Sequence, residues 1–215
     1  MKKIITILSA AMLSLFTAQA HAEWAIGITA NMATVDTDGS ETLRDSGKKT
    51  TASDSQDVVV PELFIEVVGD AGAIGLAYIP TQEIGKKKRT DTATVAENDA
   101  GDYKAEAEVG KHTMIYANIN LLDVMGGKLY AMAGLSYAEI ITLENLNGGS
   151  TYENQDVLGT TLGAGFRGNL SDTYFYKLEG TFTDYDGFSD TNTAGNKIVA
   201  DTEVTSIKLS VGAQF

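Results

Sequence analysis

"LGTTLGAGFRGNLSDTYFYKLEGTF", Leu158 to Phe182, is the stretch whose reading decides the fold. Its first part alternates Leu158, Thr160, Leu162, Ala164 and Phe166 with Gly159, Thr161, Gly163, Gly165 and Arg167. After Asn169 to Asp172 the alternation resumes, with Tyr174, Tyr176, Leu178 and Phe182 against Lys177, Glu179, Thr181 and Thr183. A side-chain period of two, bounded by turn residues, marks two β-strands, and so short a link makes them antiparallel neighbours.

The same pattern recurs along the chain. Trp24, Ile26, Ile28, Ala30 and Met32 oppose Ala25, Gly27, Thr29, Asn31 and Ala33, and Val59, Pro61, Leu63, Ile65 and Val67 oppose Glu62, Phe64 and Glu66. Ile74, Leu76 and Tyr78 face away from Gly75 and Ala77; Thr113, Ile115, Ala117, Ile119 and Leu121 face away from His112, Met114, Tyr116, Asn118 and Asn120. A strand from Leu129 is the least regular, because Tyr130 and Met132 fall on the face that Gly134 and Ser136 mark as polar. At the end of the chain Ile207, Leu209, Val211, Ala213 and Phe215 alternate with Ser206, Lys208, Ser210, Gly212 and Gln214. The total is eight strands. Their links alternate between tight ones, such as Gly69 to Gly72, and long polar ones, roughly Asp36–Asp57, Ile84–Lys104, Glu144–Asp156 and Asp184–Glu203. That places all short turns at one end of an antiparallel sheet and all long loops at the other, the expected layout of an outer-membrane barrel.

Eight alternating strands also suit a soluble barrel with its apolar set inside. An eight-stranded interior is only just wide enough for side chains to fill, and the set rich in Gly, Ala, Ser, Thr and Asn fits it. The apolar set then faces lipid, where only helices or closed barrels satisfy every backbone group. On this reading Glu62, Glu66, Arg167, Lys177, Glu179 and Lys208 point into the barrel. Buried charges are costly unless opposite signs meet, so Arg167 and one or both of Lys177 and Lys208 are expected to pair with Glu62, Glu66 and Glu179 and close the interior to ions. The alternative places some of them at a solvated rim.

Lys2 and Lys3, an apolar run from Ile4 to Phe16, and Ala20-His21-Ala22 read as a signal peptide over residues 1–22, leaving residues 23–215 as the barrel domain. The chain carries a formal charge of −13, more negative still without the two leader lysines, which disfavours nucleic acid as a partner. With no cysteine, disulfides, thiol catalysis, Cys-type metal sites and a lipid-modified cysteine are excluded.

At residue level, Gly159 to Tyr185 resembles the corresponding strands of small outer-membrane barrels of the OmpA and opacity-protein type: a Gly-x-Gly strand ending in a polar or basic residue, a tight turn, then an inward basic-x-acidic pair, here Lys177 and Glu179. Phe215, with apolar residues at alternate positions before it, is similar to the terminal signal of such barrels, although Ala213 and Ser210 stand where an aromatic and a glycine are common. The resemblance implies an eight-stranded up-and-down transmembrane barrel without the larger members' peptidoglycan-binding domain. It also implies recognition of the last strand by the barrel-assembly machinery, and aromatic girdle positions at Trp24, Tyr174, Tyr176 and Phe215.

Candidate chemistry is sparse. His112, the one histidine outside the leader, falls on the inward face near the outer rim, away from the lipid-facing wall that acyl chemistry would need. "DTDG" at 36–39 and "DYDG" at 184–187 begin like calcium loops but have Gly47 and Gly195 where a bidentate Glu is required; Asp and Gly also suit a solvated turn. Lys86, Lys87, Lys88 and Arg89 sit where the third strand leaves the membrane, suited either to outer-leaflet glycolipid phosphates or to a solvated loop. The expectation is therefore a barrel with no enzymatic activity, cofactor or metal, serving the envelope or its surface through loops whose ligand the sequence does not name. A small-solute channel is the alternative, and a lipid-modifying barrel the third reading.

Overall fold

The computed structural model describes residues 22–44, 46–91, 101–145, 153–192 and 195–215, so the leader reading falls outside it up to residue 21. Among the described residues there are ten strands: β1 (Glu23–Thr42), β2 (Lys49–Gly69), β3 (Gly72–Ile79), β4 (Gln82–Asp91), β5 (Gly101–Val124), β6 (Gly127–Asn145), β7 (Gln155–Asn169), β8 (Tyr174–Tyr185), β9 (Phe188–Thr191) and β10 (Lys197–Gln214). Each of β1, β2, β3, β5, β6, β7, β8 and β10 pairs antiparallel with the next, and β10 pairs back onto β1. The ring is therefore an eight-stranded closed barrel, in which around the belt each strand pairs with a neighbour on both sides. β4 and β9 are continuations beyond breaks: β3 stops before Pro80, which has no N–H to donate, and β4 resumes the pairing on β5.

Closure is completed at the termini. Trp24 N donates to Phe215 O at 2.9 Å and Phe215 N to Trp24 O at 2.8 Å. On this side lie the tight links of the ring, Asp70–Ala71, Met125–Gly126 and Leu170–Thr173. Met125 and Gly126 both have positive φ, 50° and 76°, the mirror-image turn whose twist matches a two-residue hairpin.

The outward faces carry an apolar belt. Trp24, Ile26, Ile28 and Met32 on β1, Val59, Leu63 and Ile65 on β2, Leu158 and Leu162 on β7, and Ile207, Leu209, Val211 and Phe215 on β10 are all exposed. Ladder partners keep the belt level: Met32 lies opposite both Val59 and Ile207. Trp24 to Met32 spans about 27 Å of strand, or about 21 Å along the barrel axis at a tilt of about 40°. That height suits a hydrocarbon layer. The chain is thus a transmembrane barrel by its outer surface.

The long loops expected from the sequence are largely strand. β1 runs on to Thr42 and β2 begins at Lys49, so most of the expected loop Asp36–Asp57 is strand. β5 likewise starts at Gly101, β6 reaches Asn145, and β10 starts at Lys197. Above the belt these strands stand in water, and polar cross-strand contacts brace them: Thr34 Oγ1 donates to Asp57 Oδ1 at 2.7 Å, and Thr37 and Thr202 hydroxyls meet at 3.3 Å. Asp36 to Gly39 lies within β1 rather than in a turn or an ion loop, with Asp38 accepting from Ser53 Oγ.

Candidate functional site

The lumen is the site, and parity along the strands decides what enters it. Tyr130 and Met132, which break the expected polar pattern, point inward and are buried, as are Phe64, Phe175, Tyr116 and Met114. The interior is therefore not only small and polar. Rings fit because glycines face them across the ladder. A Cβ built on Gly75 would fall 2.4 Å from the Tyr116 ring, one on Gly165 2.6 Å from that of Tyr130, and one on Gly212 2.5 Å from that of Phe175. An inward glycine next to an inward aromatic is the sequence signal for this packing, legible only once the cross-strand register is known.

At the end bearing the termini a polar vestibule of about 370 Å³ is bordered by Asn118, Asn120, Asp123, Lys128 and Gln214. Its roof is charged. Glu66 sits on β2 opposite Ala25 and Gly75, fully enclosed, and takes three donors. Lys177 Nζ lies 2.8 Å and Tyr116 Oη 2.8 Å from Glu66 Oε1, and Arg167 Nη1 lies 2.9 Å from Oε2. Lys177 also approaches Glu179 Oε2 at 3.7 Å, while Arg167 reaches on to Gln214 Oε1. The cations are covered by rings: Arg167 Cζ is 3.6 Å from the Phe175 centroid and Lys177 Nζ 4.0 Å from that of Phe64. Such stacking is attractive because each ring face carries negative charge.

A second, separate pair joins Lys208 Nζ to Glu62 Oε2 at 2.7 Å, with side chains 6 % and 5 % exposed. Hydroxyl contacts link the neighbouring positions: Thr29 to Ser210 at 2.8 Å, Ser136 to Thr161 at 3.1 Å, and Thr161 to Thr183 at 2.8 Å. In a low-dielectric interior such a network rigidifies only when each member is satisfied. All six charged residues singled out in the sequence thus lie on the inward face in two ion-paired groups. The partners that sequence reasoning missed are Tyr116, Gln214 and the covering Phe175.

Beyond the Lys208–Glu62 pair the inward positions change character. Ala33, Val35, Val58, Val60, Ile79 and Val204 follow where Glu62, Asn31 and Lys208 leave off, and they border a cavity of about 90 Å³. The outward partners change in the opposite sense, from Met32 and Val59 to Asp36 and Asp57. β1 and β2 therefore keep their parity while their amphipathicity inverts at the membrane boundary, whereas in β5 a register shift between Gly110 and Thr113 brings both Val109 and His112 to the same cavity. The soluble-barrel pattern weighed against the membrane pattern in the sequence occupies the outer part of the same barrel.

The remaining sequence candidates separate. His112 is inward and buried, with Nε2 2.9 Å from Tyr185 Oη. Trp24, Tyr174 and Phe215 are exposed on the belt near the termini, and Tyr176 packs outside against Phe166 with ring centroids 6.0 Å apart. The backbone of Lys86 to Arg89 belongs to β4, paired with β5, and their side chains lie outside the described residues. Among the described residues no cluster of three potential metal ligands occurs. At the rim, the exposed Lys111 is bonded to Glu139 at 2.9 Å, and that carboxylate raises the lysine's pKa above its ordinary value.

No family model matches the chain, and no curated protein sequence does. Among solved structures it is similar to Ail of Yersinia pestis, solved with the heparin analogue sucrose octasulfate, at 12% identity and a TM-score of 0.48, covering 90% of this chain and 99% of that one. It is similar to the outer membrane protease OmpT of Escherichia coli at 9% identity and a TM-score of 0.47, covering 90% and 97%. Neisserial surface protein A follows at 13% identity and a TM-score of 0.45, covering 88% and 99%. Its own closed ladder and outward belt make the chain an eight-stranded up-and-down transmembrane β-barrel, similar in architecture to outer-membrane barrels of the OmpA and opacity-protein type.

Proposed function

We propose that this chain is an exported outer-membrane protein, without enzymatic activity, that carries no open aqueous pore and acts at the cell surface through the strands and links beyond the lipid. One observation supports the closed lumen above all others: Arg167, Lys177, Glu66 and Glu179, capped by Phe64, Phe175, Tyr116 and Tyr130, occupy the barrel bore. An eight-stranded bore leaves little space beyond its own side chains. The apolar N-terminal run supports export, and the aromatic Phe215 at the end of the last strand supports delivery to the barrel-assembly machinery. The surface role rests on the length of strand standing above the belt, an acidic and hydrogen-bonded collar carrying Asp36, Asp38, Asp57, Asp201 and Glu203. It binds an outer ligand whose identity is open; the acidic charge favours a neutral or cationic one.

Planar-bilayer recording from the purified protein tests this reading. The closed lumen gives no steady conductance, whereas Glu66→Ala together with Arg167→Ala removes the pair beneath Phe175 and gives measurable current. A steady, large conductance from the unaltered chain would establish the channel alternative instead.

A further inference from the structure

The outer half of the barrel has the lining of a ligand chamber. Val35, Val58, Val109, Ile140, Val157 and Val204 come from different strands and face a common cavity of about 90 Å³. One water occupies about 10–15 Å³ on such a measure, so the space takes several waters or one small organic molecule. The valine and isoleucine part of the wall offers water no hydrogen bonds, so an apolar group loses nothing there, although hydroxyl side chains such as Ser136, Thr181 and Thr183 also border the space. The cavity is not a sign of loose packing throughout, because deeper in the lumen aromatic rings press directly on glycines.

A second observation is independent of shape. Asn31 Oδ1 and His112 Nδ1 are buried and lack a hydrogen-bond partner. Both residues border the cavity, and they are only 5 % and 8 % exposed. Unpaired buried polar atoms are costly and ask for an explanation. His112 is held by its other nitrogen on Tyr185, so its ring is fixed with Nδ1 free. An amide oxygen needs a donor, and an imidazole nitrogen takes or gives a proton according to its tautomer. A hydroxyl group serves both. A carboxylate would bring an acceptor against the Asn31 oxygen, and Lys208, the cation bordering the chamber, is already taken by Glu62.

We infer that this chamber binds a small neutral amphiphile, an alcohol with a short aliphatic or single-ring apolar part, whose hydroxyl meets Asn31 and His112 while the rest lies among the valines. Phe188 and Ala200, cross-strand partners on β9 and β10, border the chamber at its outer end. The site goes beyond the closed-lumen reading, since binding from the outer side needs no passage through the charged layer.

The test is a titration of the full barrel, refolded in deuterated detergent micelles with ¹³C-labelled Val, Ile, Leu and Met methyls, using 1-hexanol and n-hexane as probes. Chamber methyls of Val58, Val157, Val204 and Met114 are expected to shift saturably with hexanol. Lipid-facing Ile26 and Leu63 shift linearly as the alcohol partitions into the micelle. Hexane is expected to bind at least about ten-fold more weakly than hexanol, and Asn31→Leu with His112→Phe should reduce hexanol to the level of hexane. Ala138→Phe fills the chamber and should abolish saturation while the barrel keeps its heat-modifiable gel mobility; Val157→Phe serves if that variant does not fold. Linear shifts at every methyl of the unaltered protein, or saturation undiminished in a folded, filled variant, would overturn the site. Equal affinity for hexane and hexanol would overturn the roles of Asn31 and His112. A barrel that conducts yet still binds hexanol at these methyls would refute the closed lumen and leave the chamber standing.

Discussion

Replacing Lys208 by Met removes the cation bonded to Glu62, and its consequence follows from the geometry. The two side chains meet at 2.7 Å with almost no exposure, so the substitution leaves a carboxylate buried without its partner. Lys208 also stands opposite Glu179 on the β8–β10 ladder, so its loss removes a positive charge beside that carboxylate as well. Breaking a buried pair from one side costs about 3–5 kcal/mol. With a denaturant slope of about 2 kcal/mol/M, the urea midpoint of the refolded barrel should fall by roughly 2 M. Trp24 is the only tryptophan and sits at the lipid interface, so its fluorescence reports unfolding without a label. Glu62→Leu combined with Lys208→Met should return the midpoint to near that of the unaltered protein, because a well-packed apolar pair replaces a buried ion pair at little or no cost. A loss below about 1 kcal/mol in Lys208→Met, or a double variant as unstable as the single one, would refute the claim that desolvated pairing organises the lumen.

Three further outcomes are expected. Gly75→Ala places a methyl group against the Tyr116 ring, whose hydroxyl donates to Glu66, and should destabilise the barrel by about 1–3 kcal/mol as an overpacked core does; Tyr116→Phe in the same background should not restore it, because the ring and not the hydroxyl is in the way. Met125→Asn relieves a non-glycine residue with φ of 50° in an exposed turn and should raise the urea midpoint slightly, by about 0.5–1 kcal/mol in stability. Phe215→Ala keeps both backbone bonds to Trp24 but removes the terminal ring, so the accumulation of assembled barrel in the membrane should fall while the unfolding midpoint of the purified barrel stays within about 0.5 kcal/mol of the original.

Much of this was legible in the residues because a lipid-facing strand writes its parity in large apolar side chains. Ile26, Ile28, Leu63, Leu162 and Leu209 are exposed by the same alternation that places Glu62, Lys177 and Lys208 inside. Where the strand leaves the lipid that writing stops. Asp-Thr-Asp-Gly-Ser, residues 36 to 40, has the composition of a turn, yet it is strand because β2 and β10 flank it on both sides and satisfy its ladder. The outer chamber was hidden for the same reason: Val35, Val58 and Val204 look like ordinary strand residues until the register puts them on one wall. The bonds that fix Glu66 were equally beyond reach, since Tyr116 and Arg167 come from strands far apart in sequence.

The inversion of amphipathicity along strands such as β1 and β2 is the claim on which the membrane placement, the closed lumen and the outer chamber all depend. The chain has no cysteine, so single cysteines can be placed along β1 from Trp24 to Gly39, spin-labelled, and read for accessibility to oxygen and to a water-soluble nickel chelate in lipid vesicles. Labels at 26, 28 and 32 should respond to oxygen alone, labels at 36 and 38 to the chelate, and labels at 25, 29 and 31 to neither. Chelate access at 26 and 28 would remove the lipid belt, and chelate access at 29 and 31 would show an open, water-filled bore.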